Sequence, residues 1–210
     1  MLHDFLITEH YAVIPDLPVE FDPQLGIQNN HFVYRYNEEA VTRYGFLDRY
    51  SNNESKIQWI AVPTHYVFHY ANAWEETNEG GETIIVAYGC KFEKFDIELD
   101  PFLEDSSVKA GTDYPGIFTK FIFNLTTGQA KEAILIPDIS TEFCLVNQAF
   151  VGYKCRYVYM LIEDESKYTN EQGSKENKFG TGFLKYDLQE EKIVKIVDFG
   201  PTHSGGEVFF

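Results

Sequence analysis

At 210 residues, 44% of them hydrophobic, the chain is long enough for one large domain or two small ones and too apolar to be disordered. The 33 acidic and 17 basic side chains give a formal charge of -16, which would repel phosphate backbones and anionic headgroups and argues against a nucleic-acid partner. No apolar run approaches the roughly 20 residues of a membrane span, and no signal peptide is recognisable, so this segment is expected to be soluble unless a flanking part anchors it. Cys90, Cys144 and Cys155 form no CxxC pair, so the sequence supports neither a disulfide framework nor a zinc ribbon. A reducing compartment is therefore expected.

Short apolar stretches rich in Val, Ile, Phe and Tyr recur along the chain and end at polar or glycine turns, a pattern typical of strands. No window shows a long helical stripe. The predicted strands are "FLIT", "YAVIPDL", "IQWIAVP", "ETIIVAYGCKF", "FTKFIFNL", "AKEAILIP", "CRYVYMLI", "GFLKYDL" and "KIVKIVDFG".

Tight polar turns join some of these strands into antiparallel hairpins. The hairpin segments are "FLITEHYAVI", "FIFNLTTGQAKEAILI" and "FLKYDLQEEKIVKIVDF". Repeated meanders without intervening helices favour an all-β sandwich or propeller, with no visible domain boundary. The polar segments Glu98–Asp113 and Glu163–Lys178 are predicted to be long loops.

The local sequence places none of four histidines in a complete metal-binding motif. His10 and His31 lie in polar turns and are predicted to be solvated. His65 and His69 have the spacing of half a zinc-protease motif, but Tyr66 stands where that chemistry needs a glutamate, and "HYVFH" prefers a strand. On a regular strand, positions 65, 67 and 69 share one face, so His69 is expected to face a site with His65 farther along the same row.

Four ordered segments resemble landmarks of the carotenoid cleavage dioxygenases. They are "MLHDFLITEHYAVIPDLP", "FHYANAWEE", "TEF" followed by "KCRYVYM", and "DFGPTHSGGEVFF", which together cover essentially the whole chain. The resemblance implies part of a seven-bladed β-propeller, about three to four blades of antiparallel meanders. Residues 1–210 would then form a single partial propeller domain, truncated at both ends relative to the family.

The same resemblance implies a metal site in which four histidines on inner strands bind one ferrous iron, Fe(II). His3 and His69 match the second and third of these ligands, and Glu142 and Glu207 match two supporting carboxylates. A carboxylate on one imidazole N–H fixes the tautomer and directs the other nitrogen at the metal. Glu142 would support His69, and Glu207 would support the last histidine, which lies downstream of this chain in the family.

The function implied is that of a non-haem Fe(II) dioxygenase that cleaves a conjugated double bond of a carotenoid or apocarotenoid with O₂ into two carbonyl products. The expected partners are an apolar polyene and O₂, with no nucleic acid and with membrane contact only through parts outside this chain. A cytoplasmic location is expected, or a plastid where a transit peptide precedes the chain. The alternatives are a retinoid isomerohydrolase-type enzyme, a stilbene-cleaving enzyme, and a non-catalytic propeller remnant acting as a binding module.

The chain departs from the family pattern in two places. Cys144 stands where a proline commonly follows the glutamate and phenylalanine, and His203 falls outside the family's ligand positions and is predicted to lie in a loop. The polar and aromatic residues after His69 are expected to have positional roles. They are Asn72, Trp74, Glu75 and Glu76.

Overall fold

The computed structural model describes residues 1–29, 33–51, 56–94, 114–163, 180–200, 203–207 and 209. These residues form antiparallel β-structure with little helix, so the all-β prediction is confirmed. The helical parts are a short helix α1 (Pro23–Asn29) and a 3-10 turn (Gln148–Phe150). The strands are β1 (Leu6–Ile7), β2 (Tyr11–Asp16), β3 (Val19–Phe21), β4 (Tyr34–Tyr36), β5 (Thr42–Asp48), β6 (Gln58–Val62), β7 (Tyr66–Thr77), β8 (Thr83–Phe92), β9 (Ile117–Asn124), β10 (Gln129–Ile136), β11 (Thr141–Leu145), β12 (Tyr157–Ile162), β13 (Gly182–Asp187) and β14 (Lys192–Asp198).

The strands form three four-stranded sheets and one two-stranded pair, β3–β4. The first sheet has the order β1-β2-β5-β6, the second β10-β9-β8-β7, and the third β11-β12-β13-β14. All three predicted hairpins are present as the antiparallel pairs β1–β2, β9–β10 and β13–β14. Within the described residues, β1, β7 and β11 each lie at one edge of their sheet, and these edges approach one another.

Side-chain hydrogen bonds explain why two of the hairpins turn where they do. The Asn124 Oδ1 accepts the backbone N–H of Thr126 at 2.9 Å and of Thr127 at 3.0 Å, directly after β9. The Asp187 Oδ1 accepts the N–H of Gln189 at 3.0 Å in the same way after β13. A short polar side chain that satisfies the next amides competes with strand continuation and closes the turn.

The second sheet lies between the other two and is buried on both faces. Along β8, Ile85 packs with residues of the first sheet, whereas Val86 and Tyr88 pack with residues of the third. Because successive strand side chains point to opposite faces, a strand covered on both sides becomes the continuous apolar run seen in "TIIVAYGC". The two neighbouring sheets are therefore held in place against one central sheet.

A β-bulge on β7 overturns the prediction that His65 and His69 share one row. The pairing of β7 with β8 shifts register between Val67 and Tyr70, and these two residues, three positions apart, pack in the same cluster with the first sheet. An extra residue in one strand redirects the side chains that follow it. His65 consequently packs against Tyr44 of the first sheet, whereas His69 contacts the third sheet.

Some of the sequence predictions fall outside the described ranges. They concern His31 and the two long loops, Glu98–Asp113 and Glu163–Lys178, apart from Glu163 itself. In the part of the chain that the structure describes, no helix has the length and apolar character needed to cross a bilayer. The three cysteines are described and none forms a disulfide.

Candidate metal centre

His3 and His69 lie side by side where the edges of the first and second sheets meet. His3 precedes β1 and His69 lies on β7, and their ring centroids are 4.9 Å apart with planes at 88°. The chain separation of 66 positions is closed by contact between β1 and β7. Two imidazoles held edge-to-face at this distance can direct nitrogens at a common point.

Each of these imidazoles uses its Nδ1 in a hydrogen bond with the protein. The His3 Nδ1 lies 3.1 Å from the carbonyl oxygen of Phe68, and the His69 Nδ1 lies 2.5 Å from the Oε2 of Glu142. Because both partners are acceptors, each Nδ1 carries the proton and donates it, which leaves Nε2 with its lone pair. Among the described residues, neither Nε2 has a hydrogen-bond partner, and this is the protonation pattern of a metal-binding histidine.

Glu142 at the start of β11 is the buried carboxylate of this site. It is only 3% exposed, and its Oε2 also accepts the backbone N–H of Phe143 at 2.5 Å. Its second oxygen, Oε1, is buried without a hydrogen-bond partner among the described residues. Burial of a half-satisfied carboxylate is unfavourable, and a positive charge delivered through His69 would offset it.

The residues after Glu142 also contact His69. Phe143 has a positive φ of 49°, rare for a residue other than glycine, and its ring lies 4.6 Å from the His69 ring, centroid to centroid. The Cys144 Sγ donates to the backbone oxygen of His69 at 3.1 Å. Proline, which the resemblance leads us to expect at this position, has no such donor, so Cys144 adds a contact to the site.

The electrostatic field around His69 is negative. Burial lowers the pKa of His69, but the hydrogen bond and charge of Glu142, together with the charges of Asp4 and Glu207, outweigh this effect and raise the pKa overall. Glu207 is exposed and acts on His69 through its charge. Its predicted support of the family's last histidine stays a prediction. Negative charge of this kind around His69 favours a cation beside it.

His65 has the opposite surroundings and is a core residue. It is fully buried, its Nδ1 lies 2.8 Å from the Pro63 oxygen, and its Nε2 lies 2.9 Å from the hydroxyl of Tyr44. The Tyr44 hydroxyl also pairs with the Tyr70 hydroxyl at 2.9 Å. Burial lowers the pKa of His65 to about 4. With both nitrogens occupied inside the core, His65 has no lone pair to offer a metal.

The polar residues that follow His69 attach β7 to its neighbours. Asn72, 3% exposed, donates to the backbone oxygens of Phe150 and Tyr153, both at 2.9 Å, and its Oδ1 accepts the Gly152 N–H at 2.9 Å. Each polar end of this buried side chain is therefore satisfied by the loop before β12. Asn72 thus has a positional role, one that ties β7 to the third sheet.

Glu75 and Glu76 make similar attachments. The Glu75 Oε1 accepts the Thr8 hydroxyl at 2.6 Å and the His10 N–H at 2.7 Å, and its Oε2 lies 2.9 Å from the His10 Nδ1. Glu76 accepts the ammonium of Lys154, in the loop before β12, at 2.8 Å and the indole N–H of Trp74, on β7 itself, at 2.9 Å. His10 is exposed, as predicted, but it is part of this link between β7 and the β1–β2 turn.

A cavity of about 670 Å³ lies farther along β7, between the second and third sheets. Trp74, Tyr88 and Leu188 form part of its wall, and Lys154 and Arg156 are among its charged residues. Neither His3 nor His69 lines it. The cavity is therefore separate from the histidine pair.

The donor set of the pair fits a divalent first-row transition metal such as Fe(II). Imidazole is a ligand that suits iron, and the Nδ1 hydrogen bonds of His3 and His69 orient both rings. Within the ranges that the structure describes, no group of three or more metal-ligating side chains occurs. The pair therefore accounts for part of a coordination shell.

Known proteins resemble this chain over its whole length. A family model described as retinal pigment epithelial membrane protein (RPE65) matches residues 1–210. Carotenoid 9,10(9',10')-cleavage dioxygenase 1 of Arabidopsis thaliana is 30% identical and the Pisum sativum protein of the same name 29% identical, both over the whole of this chain. The chain spans 38% and 37% of the lengths of these two relatives.

Solved structures share the fold at lower identity. Cobalt-substituted Synechocystis ACO matches with a TM-score of 0.75 at 21% identity, covering 99% of this chain and 40% of that one. An ACO/RPE65 chimera matches with a TM-score of 0.72 at 21% identity, with the same shares covered. Because one family model matches every position and the fold agrees with these structures, the chain belongs to the retinal pigment epithelial membrane protein (RPE65) family.

Proposed function

We propose that the protein containing this chain is a non-haem Fe(II) dioxygenase that cleaves a conjugated double bond of a carotenoid or apocarotenoid with O₂ and releases two carbonyl compounds. The observation that carries the proposal is the His3–His69 pair, in which both Nδ1 atoms are engaged and both Nε2 atoms lack a partner among the described residues. The names of the relatives, which are carotenoid cleavage dioxygenases, support the substrate class.

Fe(II) held by His3 and His69 would supply the activation of O₂ beside an alkene. This chain contributes the ligands and their orientation. His3 and His69 present Nε2, and Glu142 holds the His69 ring in one tautomer through a 2.5 Å bond. Phe143 packs on the His69 ring and limits its rotation. Glu207 adds negative charge, which favours retention of a cation.

The remaining parts of the site are proposed to lie elsewhere in the full-length polypeptide. We propose that the three consecutive four-stranded sheets are successive blades of a seven-bladed propeller, with β1, β7 and β11 toward its axis; their strand orders support this proposal. Two further histidines would complete the ligand set, and an apolar tunnel would hold the polyene. The location, cytoplasmic or plastid, and contact with a membrane stay predictions.

The proposal is tested with the full-length polypeptide, loaded with Fe(II) and given an apocarotenoid in detergent micelles under ¹⁸O₂. We expect two carbonyl products, with label from O₂ and none formed under argon. The His69→Ala variant should lose this activity, while the matched His10→Gln variant, which alters an exposed histidine, should keep it.

Three outcomes would contradict the dioxygenase proposal. Products formed without oxygen, or isomerised retinol from a retinyl ester, would support the isomerohydrolase alternative. Cleavage of a stilbene but of no carotenoid would support the stilbene-cleaving alternative. A full-length polypeptide that holds no iron would support the non-catalytic binding module.

A further inference from the structure

The carboxylate of Asp4 joins the two segments that carry His3 and His69. Its Oδ2 accepts the backbone N–H of Tyr70 at 3.0 Å, and its Oδ1 accepts the N–H of Phe5 at 2.8 Å. Asp4 directly follows His3, and Tyr70 directly follows His69. The bond therefore links the backbone at the two positions adjacent to the candidate ligands.

The β-bulge explains why Tyr70 needs this acceptor. The β7–β8 register shifts on both sides of Tyr70, between Val67 and Tyr70 and between Tyr70 and Asn72. Among the described strands, β7 is also the last of its sheet, and its side away from β8 has no ladder partner there. A buried or half-buried backbone N–H must be paired, and the Asp4 carboxylate satisfies it.

A second contact restrains the same segment from its other side. The His3 Nδ1 donates to the oxygen of Phe68, the residue before His69, while Asp4 accepts from the residue after it. Two attachments that flank His69 limit both the sliding and the twisting of β7 relative to His3.

We propose that Asp4 is a positioning residue of the metal centre, which sets the separation and angle of His3 and His69 through its hydrogen bond to the Tyr70 amide. What the pair binds rests on the function proposed above, but the positioning itself does not. Asp4 acts through the backbone because both of its oxygens are engaged by N–H groups. It is therefore assigned no place among the metal ligands.

The first test needs no metal and uses the isotopically labelled 210-residue chain. In the parent, nuclear Overhauser contacts are expected between ring protons of His3 and His69, whose centroids are 4.9 Å apart. Asp4→Ala should remove these contacts and shift the Tyr70 amide proton. Asp4→Asn keeps one acceptor oxygen and should restore both signals. Asp16→Asn is the matched control, since Asp16 pairs with Arg43 at 2.8 Å on the surface.

The second test measures Co²⁺ affinity of the full-length polypeptide from its visible absorption. Asp4→Ala should weaken binding by about 10- to 100-fold, the usual effect of removing a residue that orients a ligand. Asp4→Asn should retain most of the affinity. If Asp4→Ala fails to fold, Asp4→Asn decides alone, and a loss of ring contacts in it contradicts the proposal.

Two results would overturn the inference. One is an Asp4→Ala chain that keeps the His3–His69 ring contacts. The other is an equal loss of Co²⁺ affinity in Asp4→Ala and Asp4→Asn, which would mean that the charge acts and the hydrogen bond does not. A parent protein that binds no Co²⁺ would refute the proposed function alone, because the metal-free ring contacts still test Asp4.

Discussion

His65 and His69 stand four positions apart in one segment, yet the chain uses them in opposite ways. His65 has a hydrogen-bond partner on each ring nitrogen, the Pro63 oxygen and the Tyr44 hydroxyl. His69 has one, the Glu142 carboxylate, and within the described ranges its Nε2 has none. The comparison shows that the partners of a histidine, more than its place in a motif, determine whether it can bind a metal.

The bulge between Val67 and Tyr70 creates this difference. Without it, His65 and His69 would face the same side of β7, and both would pack toward the first sheet or both toward the third. With it, His65 stacks on Phe121 in the aromatic core, ring centroids 5.4 Å apart, and His69 reaches Glu142. One irregularity in one strand therefore separates a structural histidine from a candidate ligand.

The largest effect is expected from His69→Ala in the full-length polypeptide. Removing a ligand should weaken Co²⁺ binding by about 100-fold or more, beyond the 10- to 100-fold usual for supporting residues. Visible absorption during a Co²⁺ titration measures this. His65→Phe, the matched variant on the same segment, should bind Co²⁺ as the parent does. Equal losses of Co²⁺ affinity in the two variants would contradict the distinction between a structural His65 and a metal-binding His69.

The second-largest effect is expected on the free energy of unfolding in acid, where His65 becomes protonated. Its folded pKa of about 4 lies below the ordinary 6.5, so between these pH values the unfolded chain binds the proton and the folded chain does not. The stabilisation is complete above pH 6.5 and is lost as the pH falls toward 4, by up to about 3 kcal/mol.

Urea unfolding of the 210-residue chain at a series of pH values measures this loss. His65→Phe should show a shallower fall in unfolding free energy between pH 6.5 and 4 than the parent does, because it removes the buried titrating group. His10→Gln, which changes an exposed histidine, should follow the parent's pH dependence of unfolding free energy more closely than His65→Phe does. Identical slopes in the parent and in His65→Phe would show that His65 is not held neutral.

A smaller effect is expected from Glu142→Gln. It removes the charge beside His69 but leaves an amide oxygen, so Co²⁺ affinity should fall by about 10-fold, the lower end of the usual range for a supporting residue. The pKa of His69 should also fall, since Glu142 is the main group that raises it. Side-chain NMR titration of His69 and a Co²⁺ titration check the two parts. The control is Glu132→Gln, which alters a surface partner of Lys91. A Glu142→Gln protein with the same Co²⁺ affinity and the same His69 pKa as this control would contradict the supporting role of Glu142.

The smallest effect is expected from Glu75→Gln, which weakens the link between β7 and the β1–β2 turn. The hydrogen bond and charge of Glu75 raise the pKa of His10. Burial tends to raise the pKa of Glu75, but bonds from Thr8 and His10 outweigh it and lower the pKa overall.

The pH range of this pair follows from the two directions. The His10 contribution is lost as the pH rises through its raised pKa, and the Glu75 contribution is lost as the pH falls through its lowered pKa. The Tm difference between the parent and Glu75→Gln should therefore be greatest between about pH 4.5 and 6.5. A difference that grows steadily toward alkaline pH would contradict the pairing.

Much of the fold follows from local sequence chemistry. Asn124 and Asp187 mark hairpin turns because their side chains satisfy the next amides, and the apolar run of β8 marks a strand covered on both faces. The strand Thr42–Asp48, by contrast, is absent from the predicted strands. Arg43 and Gly45 interrupt its apolar pattern, and pairing with β2 and β6 on both sides stabilises it as a strand.

The site was predictable in part, through resemblance. His3, His69, Glu142 and Glu207 come from ordered landmarks, since nothing local to any of them specifies a partner 66 or 73 positions away. The bulge at β7 and the positive φ of Phe143 could not be read from the sequence, because each is imposed by packing between sheets. Asp4 stood inside the "HDF" segment without a role, and only the position of the Tyr70 amide reveals one.

The role of the His3–His69 pair is tested most directly by ¹⁵N NMR of the histidine side chains in the 210-residue chain, with and without excess Zn²⁺. We expect His3, His65 and His69 all to carry the proton on Nδ1, and Zn²⁺ to shift the Nε2 signals of His3 and His69 while those of His65 stay in place. A Zn²⁺-induced shift at His65, or none at His3 and His69, would contradict it.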